Sequence, residues 1–340
     1  MRARLAGSHR VASGLFPQPE YPHHCSQDHG ARGKRRLWHV AGKSVGRARK
    51  GGKGRVVSSK ILGVIGGSGL YQMEGLENIE EVEVATPFGE PSDKFITGTV
   101  GGVKMVFLPR HGRGHRVTPT EINYRANLWG MRSLGVRHLV SVSAVGSMKE
   151  EIVPGHMIFV KQFIDFTKGI RPASFFGDGI VSHVSMADPI CKSLSDKVCE
   201  RAKALDIPSH DDGTYICIEG PQFSTRGESL FYRSMGVSVI GMTNIPEYKL
   251  AREAGICYAT VALATDFDCW HPGHDDVTLE TVIHHLNQNA TNAQKVLKEL
   301  ASSFDFPACS CHSAVKNSIV TDPKLWPSAT HEKVKLLLED

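Results

Sequence analysis

The chain has 340 residues, 41% hydrophobic and 22% charged, a composition that buries a substantial core and leaves one large domain or two small ones open. No apolar stretch approaches the roughly 20 residues of a membrane helix, so no membrane partner is expected. The net charge of +5 belongs to the first 60 residues, with 14 Lys and Arg against Glu20 and Asp28, and the remainder is net acidic, which ranks nucleic acid last among partners.

Residues 1–58 are rich in Gly, Arg, Lys, His and Ser without sustained periodicity, and are expected to be a disordered extension. A mitochondrial transit peptide, an upstream start codon and, last, a nucleic-acid-binding arm are the other readings, and cytoplasm is the default compartment. Strands are expected at residues 61–65, 103–108, 136–142, 157–164, 214–219, 237–242 and 256–264. Helices are expected at 119–134, 193–205, 246–254 and 279–301. This alternation predicts one α/β domain, a central mixed, mostly parallel twisted sheet flanked by helices. Residues 304–340 form a C-terminal extension. There, Cys309-Ser-Cys311-His312 reads as a strained redox pair or half a metal site, but no second CxC or CxxC completes a zinc set, so a structural or incidental role is expected.

Polar clusters recur where strands end, and ligands of open α/β sheets gather there. Gly66-Gly67-Ser68-Gly69 fails the dinucleotide spacing, because Gln72 stands where the third glycine belongs; it reads as an anion nest or a plain strand-exit turn. Arg110-His111-Gly112-Arg113-Gly114-His115 reads as a phosphate grip or a solvated basic loop. Thr265-Asp266-Phe267-Asp268 fits paired-carboxylate hydrolysis, a divalent metal, recognition of a base, or an exposed turn.

Taken in order, these stretches are joined by Thr86-Pro87-Phe88-Gly89, Asn123-Tyr124-Arg125-Ala126-Asn127, Ser143-Ala144-Val145-Gly146-Ser147, Ile218-Glu219-Gly220-Pro221-Gln222-Phe223-Ser224-Thr225-Arg226 and Met242-Thr243-Asn244-Ile245-Pro246-Glu247. The combination resembles the S-methyl-5'-thioadenosine phosphorylases of the trimeric purine nucleoside phosphorylase family, over a nucleoside phosphorylase domain at residues 59–303. The resemblance implies a homotrimer without metal or organic cofactor, in which inorganic phosphate is a co-substrate. It implies a phosphate site of Ser68, Arg110, His111, Ser143, Ala144 and Thr243. Met242 would lie against the ribose and Phe223 would form an apolar wall. Asp266 would bond purine N7 as the catalytic acid, and Asp268 would accept from the 6-amino group.

An ionised carboxylate only accepts hydrogen bonds, so facing a 6-oxo group it costs on the order of 1–3 kcal/mol when buried. The pair thus favours adenine. By the same resemblance Leu279 lines an apolar 5' pocket, with His183 from an adjacent subunit, and Ser224 tunes specificity. The implied reaction is phosphorolysis of S-methyl-5'-thioadenosine in methionine and purine salvage. A phosphorylase acting on adenosine, inosine or methylthioinosine is the alternative, followed by a silent purine-binding protein.

Overall fold

The computed structural model describes residues 60–273, 279–306 and 308–339, so the expectation for residues 1–58 lies outside the described residues. The strands are β1 (Ile61–Gly66), β2 (Glu77–Val82), β3 (Phe95–Val100), β4 (Val103–Pro109) and β5 (His138–Ser147), then β6 (Met157–Phe166), β7 (Ser209–Ile218), β8 (Val239–Gly241) and β9 (Cys257–Asp266). The helices are α1 (Tyr124–Ser133), α2 (Lys192–Ala204), α3 (Arg226–Ser234), α4 (Asn244–Glu253), α5 (Leu279–Ser302) and α6 (Ser328–Leu338). No described helix is long and apolar enough to cross a membrane.

β4, β1, β5 and β9 lie side by side and parallel, and their residues are buried on both faces. In β1, Ile61 and Ile65 join one core while Leu62 and Val64 join the other, as the period of two requires. This two-sided burial is why these strands read as continuous apolar runs. Apolar side chains of α1, α4 and α6 fill the first core, and those of α2 and α5 fill the second. Five of the nine strand ladders are parallel, which bears out the mixed, mostly parallel sheet.

Closure was not foreseen. β5 pairs with β8, β8 with β7, β7 with β6, β6 with β9 and β9 again with β5, so these five strands form a ring. Closing it requires β5 to continue through Ser143-Ala144-Val145-Gly146-Ser147, a stretch expected to end the strand. There β5 pairs with Ala262 to Asp266 of β9 and, at Gly146 and Ser147, with β8. At Gly241 the backbone passes the Tyr215 ring so closely that a Cβ would lie 2.0 Å from its hydroxyl oxygen.

The remaining differences are local. α1 begins at Tyr124 rather than 119, because the Asn123 side chain accepts from the Ala126 N–H and sets the start there. β2, an edge strand almost wholly exposed, carries no apolar alternation that marks it in sequence. α3 starts with a capping box, the Thr225 hydroxyl accepting from the Glu228 N–H while the Glu228 side chain accepts from the Thr225 N–H. The segment after α5 is packed into the fold: Val334 and Leu337 of α6 are buried, Trp129 Nε1 donates to the Lys333 carbonyl at 3.2 Å, and Arg132 Nη2 donates to that of Glu339 at 2.7 Å.

Candidate active site

The carboxyl ends of β4, β1, β5 and β9 meet along one edge, where Pro109 registers with Gly66, Ile65 with Ser141, and Gly146 with Asp266. α5 caps this edge: Gln294 Nε2 donates to the Gly69 carbonyl at 2.7 Å and Asn289 Nδ2 to that of Ala264 at 2.9 Å.

Asp266 closes β9. Its Oδ2 accepts from the Thr265 hydroxyl at 2.7 Å and its Oδ1 from the Asp268 N–H at 2.8 Å. That second bond folds the chain back, with Asp268 at φ +50, a left-handed conformation that Asp tolerates better than most side chains. Gly146 makes room for the turn, since a Cβ there would sit 2.9 Å from Asp266 Oδ1. Burial pushes the Asp266 carboxyl up to about 6, against the two hydrogen bonds that favour its ionised form. Burial also raises Asp268. Its Oδ2 is buried and without a hydrogen-bond partner among the described residues.

Arg110 follows β4 and is buried. Its Nε and Nη2 donate to Glu247 at 2.8 and 3.0 Å, Nη2 also to Ser141 Oγ at 2.6 Å, and Nη1 to the Val142 carbonyl at 2.9 Å. Glu247 Oε1 further accepts from the hydroxyls of Ser141 and Tyr258, at 2.6 and 2.8 Å. The two-pronged edge of the guanidinium is therefore spent inside the protein. What Arg110 offers an anion is its second Nη1 hydrogen and its charge, a narrower role than a bidentate clamp.

His111 donates through Nδ1 to the Val117 carbonyl at 2.8 Å and stacks on His115 with centroids 4.2 Å apart. Burial pushes its pKa down to about 4, so the ring is neutral near pH 7 with its proton on Nδ1 and a lone pair on Nε2. Ser143 Oγ and Ser224 Oγ, like Asp268 Oδ2, are buried without a partner among the described residues. Buried polar groups are nearly always satisfied, and here three orphans fall among residues expected to touch one ligand.

Thr243 is the residue before α4, and the next residue, Asn244, donates to Ser141 Oγ at 3.0 Å and Tyr258 Oη at 2.9 Å. Arg110, Ser143 and Thr243 are thus all tied to residues 141–143 of β5. The Ser224 carbonyl accepts from Cys269 Sγ at 3.3 Å, which sets it beside the aspartate turn. Ala144 and Phe223 are exposed, and Gly220 packs against the Met242 side chain. Ser68 opens a short 3₁₀ turn, Ser68–Tyr71, and Leu279 begins α5; the side chains of both lie outside the described residues. His183 is exposed, and its N–H donates to the Ser318 carbonyl at 2.8 Å, so it is anchored to the C-terminal segment.

Sequence reasoning left two supporting ion pairs unassigned. Glu247 orients Arg110. Arg171, likewise buried, donates to Glu219 Oε1 at 2.7 Å and from Nη1 to the Met242 and Ile245 carbonyls, each at 2.7 Å. It fastens the loop that presents Met242 and Thr243. Glu219 and Glu247 stand within the quoted motifs, but nothing in their spacing names an arginine 48 or 137 residues distant.

Residues 61–302 match the phosphorylase superfamily, and the chain belongs to it. More particularly, it is 55% identical to an S-methyl-5'-thioadenosine phosphorylase of Geobacter sulfurreducens over 280 residues, 82% of this chain and 98% of the relative. An enzyme of the same name from Thermosynechococcus vestitus is 52% identical over 82% of this chain and 97% of its own. A methylthioadenosine phosphorylase structure from an antarctic soil metagenomic library superposes with a TM-score of 0.77 at 49% identity, covering 82% of this chain and 98% of the other. A Schistosoma mansoni adenosine/methylthioadenosine phosphorylase variant in complex with methylthioadenosine gives 0.66 at 36% identity, over 72% and 92%.

Proposed function

We propose that this chain cleaves S-methyl-5'-thioadenosine with inorganic phosphate, yielding adenine and 5-methylthioribose 1-phosphate. The observation that carries the reading is Asp266, a carboxyl held near pKa 6 by burial at the edge where the strands converge. Such a group is protonated often enough near neutrality to give a proton, and ionised often enough to take it back.

Phosphate lies against Ser68, the free Nη1 hydrogen of Arg110, His111, Ser143, Ala144 and Thr243. HPO₄²⁻ carries one O–H, which His111 Nε2 accepts, so the remaining oxygens face C1' unprotonated. As the C1'–N9 bond breaks, its electron pair passes into the purine and the sugar becomes cationic. Asp266 gives its proton to N7 while a phosphate oxygen bonds C1'. The phosphate proton is released as the ester forms and returns to Asp266 through solvent, which closes the balance. No metal or organic cofactor enters these steps.

Asp268 Oδ2, the orphaned acceptor, takes a hydrogen bond from the 6-amino group. Phe223 and Met242 cover base and sugar, Ser224 stands beside the aspartate turn, and Leu279 lines the 5' end. The assembly is read as a homotrimer, in which His183 reaches a neighbouring site, and the pathway as cytoplasmic salvage. Both rest on the family resemblance. The Schistosoma relative named for adenosine as well favours adenosine as the second substrate.

The test is adenine or hypoxanthine release from S-methyl-5'-thioadenosine, adenosine and inosine, with and without phosphate. Phosphate-dependent release, fastest from the methylthio substrate, is expected. Preference for inosine overturns the role of Asp268, and phosphate-independent release overturns the reaction class.

A further inference from the structure

We propose that Cys191, Cys257, Cys309 and Cys311 form a tetrathiolate site for a single zinc ion. The four come from three separate parts of the chain. Cys191 precedes α2 as its N-terminal cap, Cys257 opens β9, and Cys309 and Cys311 flank the start of the short 3₁₀ turn Ser310–Ser313. All four sulfurs lie within 4.8 Å of one another, and three of the four residues are buried.

The spacing suits one ion. Zinc–sulfur bonds of about 2.3 Å at tetrahedral angles put the sulfurs about 3.8 Å apart, and Cys191 Sγ stands 3.8 Å from Cys309 Sγ. An iron–sulfur cluster would interpose its bridging core and drive the thiolates on different irons farther apart. The second CxC that the sequence lacks is replaced by two single cysteines that the fold delivers.

The surroundings complete the site. His312 Nε2 is 3.4 Å from Cys257 Sγ, placed to donate to a thiolate as groups behind metal ligands do. His138 packs on His312, Phe304 and Phe306, an aromatic wall on that side. Cys191 also lies at the positive end of α2. Binding converts four thiols and Zn²⁺ to a dianionic zinc tetrathiolate and releases four protons, with no change of oxidation state. The ion cross-links the segment after α5 to the starts of α2 and β9.

The full chain, expressed with zinc and purified under reductant without chelator, is expected to carry one zinc by elemental mass spectrometry. The Cys309→Ser/Cys311→Ser variant is expected to lose it. Because that variant could misfold, cobalt is exchanged into the wild-type chain as a second measurement. Intense thiolate-to-cobalt charge-transfer bands with tetrahedral d–d bands are expected. A chain that retains no metal, holds iron instead, or gives an octahedral cobalt spectrum overturns the proposal. So do disulfides among these four cysteines in the denatured, alkylated protein.

Discussion

Arg110 and Glu247 face each other through two parallel hydrogen bonds, Nε to Oε2 at 2.8 Å and Nη2 to Oε1 at 3.0 Å, with both side chains no more than 3% exposed. A guanidinium this deep needs its counter-charge, and the carboxylate that supplies it also sets which N–H is left over. The pair joins β4 to α4 beneath the strand edge, so Glu247 fixes how the Arg110 guanidinium is turned.

Replacing Glu247 by Gln leaves a buried cation facing a neutral amide. The expected loss is about 3–5 kcal/mol of folding stability, the range for breaking a buried pair, read by urea denaturation. At temperatures where the variant stays folded, KM for phosphate should rise more than KM for the nucleoside. Equal effects on both substrates would show that Glu247 supports the whole site rather than Arg110.

Asp266→Asn removes the transferable proton and keeps the shape. A fall in kcat/KM of about 10²–10⁴ is expected, the usual worth of a positioned acid. With Asp266 as the proposed donor, the active form is the protonated one, populated below about pH 6. Activity should therefore decline as pH rises through that value, and the decline should vanish in the variant. An Asn variant with near-normal rates would remove Asp266 from the chemistry.

Asp268→Asn exchanges an acceptor for a group that also donates. The ratio of kcat/KM for S-methyl-5'-thioadenosine over methylthioinosine is expected to fall by about 1–3 kcal/mol, roughly 5- to 150-fold. An unchanged ratio would place base recognition elsewhere.

Glu253, at the end of α4, accepts from the Phe175 N–H at 2.7 Å and the Ser174 hydroxyl at 2.8 Å, yet burial pushes its pKa up to about 7. The folded state holds this proton more tightly than the unfolded state does. Its contribution is thus fully present below the ordinary carboxylate pKa and is lost as pH rises through about 7. Thermal stability should fall over that window by on the order of 3 kcal/mol. Glu253→Gln should flatten the curve; a variant with the wild-type slope would assign the titration to another group.

The residues expected at the site could be singled out in the sequence because they sit in turns directly after apolar strands. Arg110-His111, Thr243 and Asp266-Phe267-Asp268 each follow a run that burial on both faces makes continuous, and the strand edge gathers them. Glu247, Arg171, Ser141 and Tyr258 were not legible as a supporting frame, since each finds its partner across the sheet. β2 escaped because an exposed edge strand shows no alternation, and β5 was ended too early because Ser143 to Ser147 extend only through pairing with β9 and β8.

By itself the sequence determined the α/β class, the order of most strands and helices, and the residue types at the strand ends, because local periodicity and turn chemistry act over a few residues. The tertiary structure alone decided the closure of the ring through β5 and β9, the turning of the Arg110 fork onto Glu247, and the meeting of Cys191, Cys257, Cys309 and Cys311. Each of these depends on contacts between residues far apart in the chain. Burial then raises the Asp266 and Glu253 carboxyls and leaves Asp268 Oδ2 without a partner among the described residues, which no local pattern encodes.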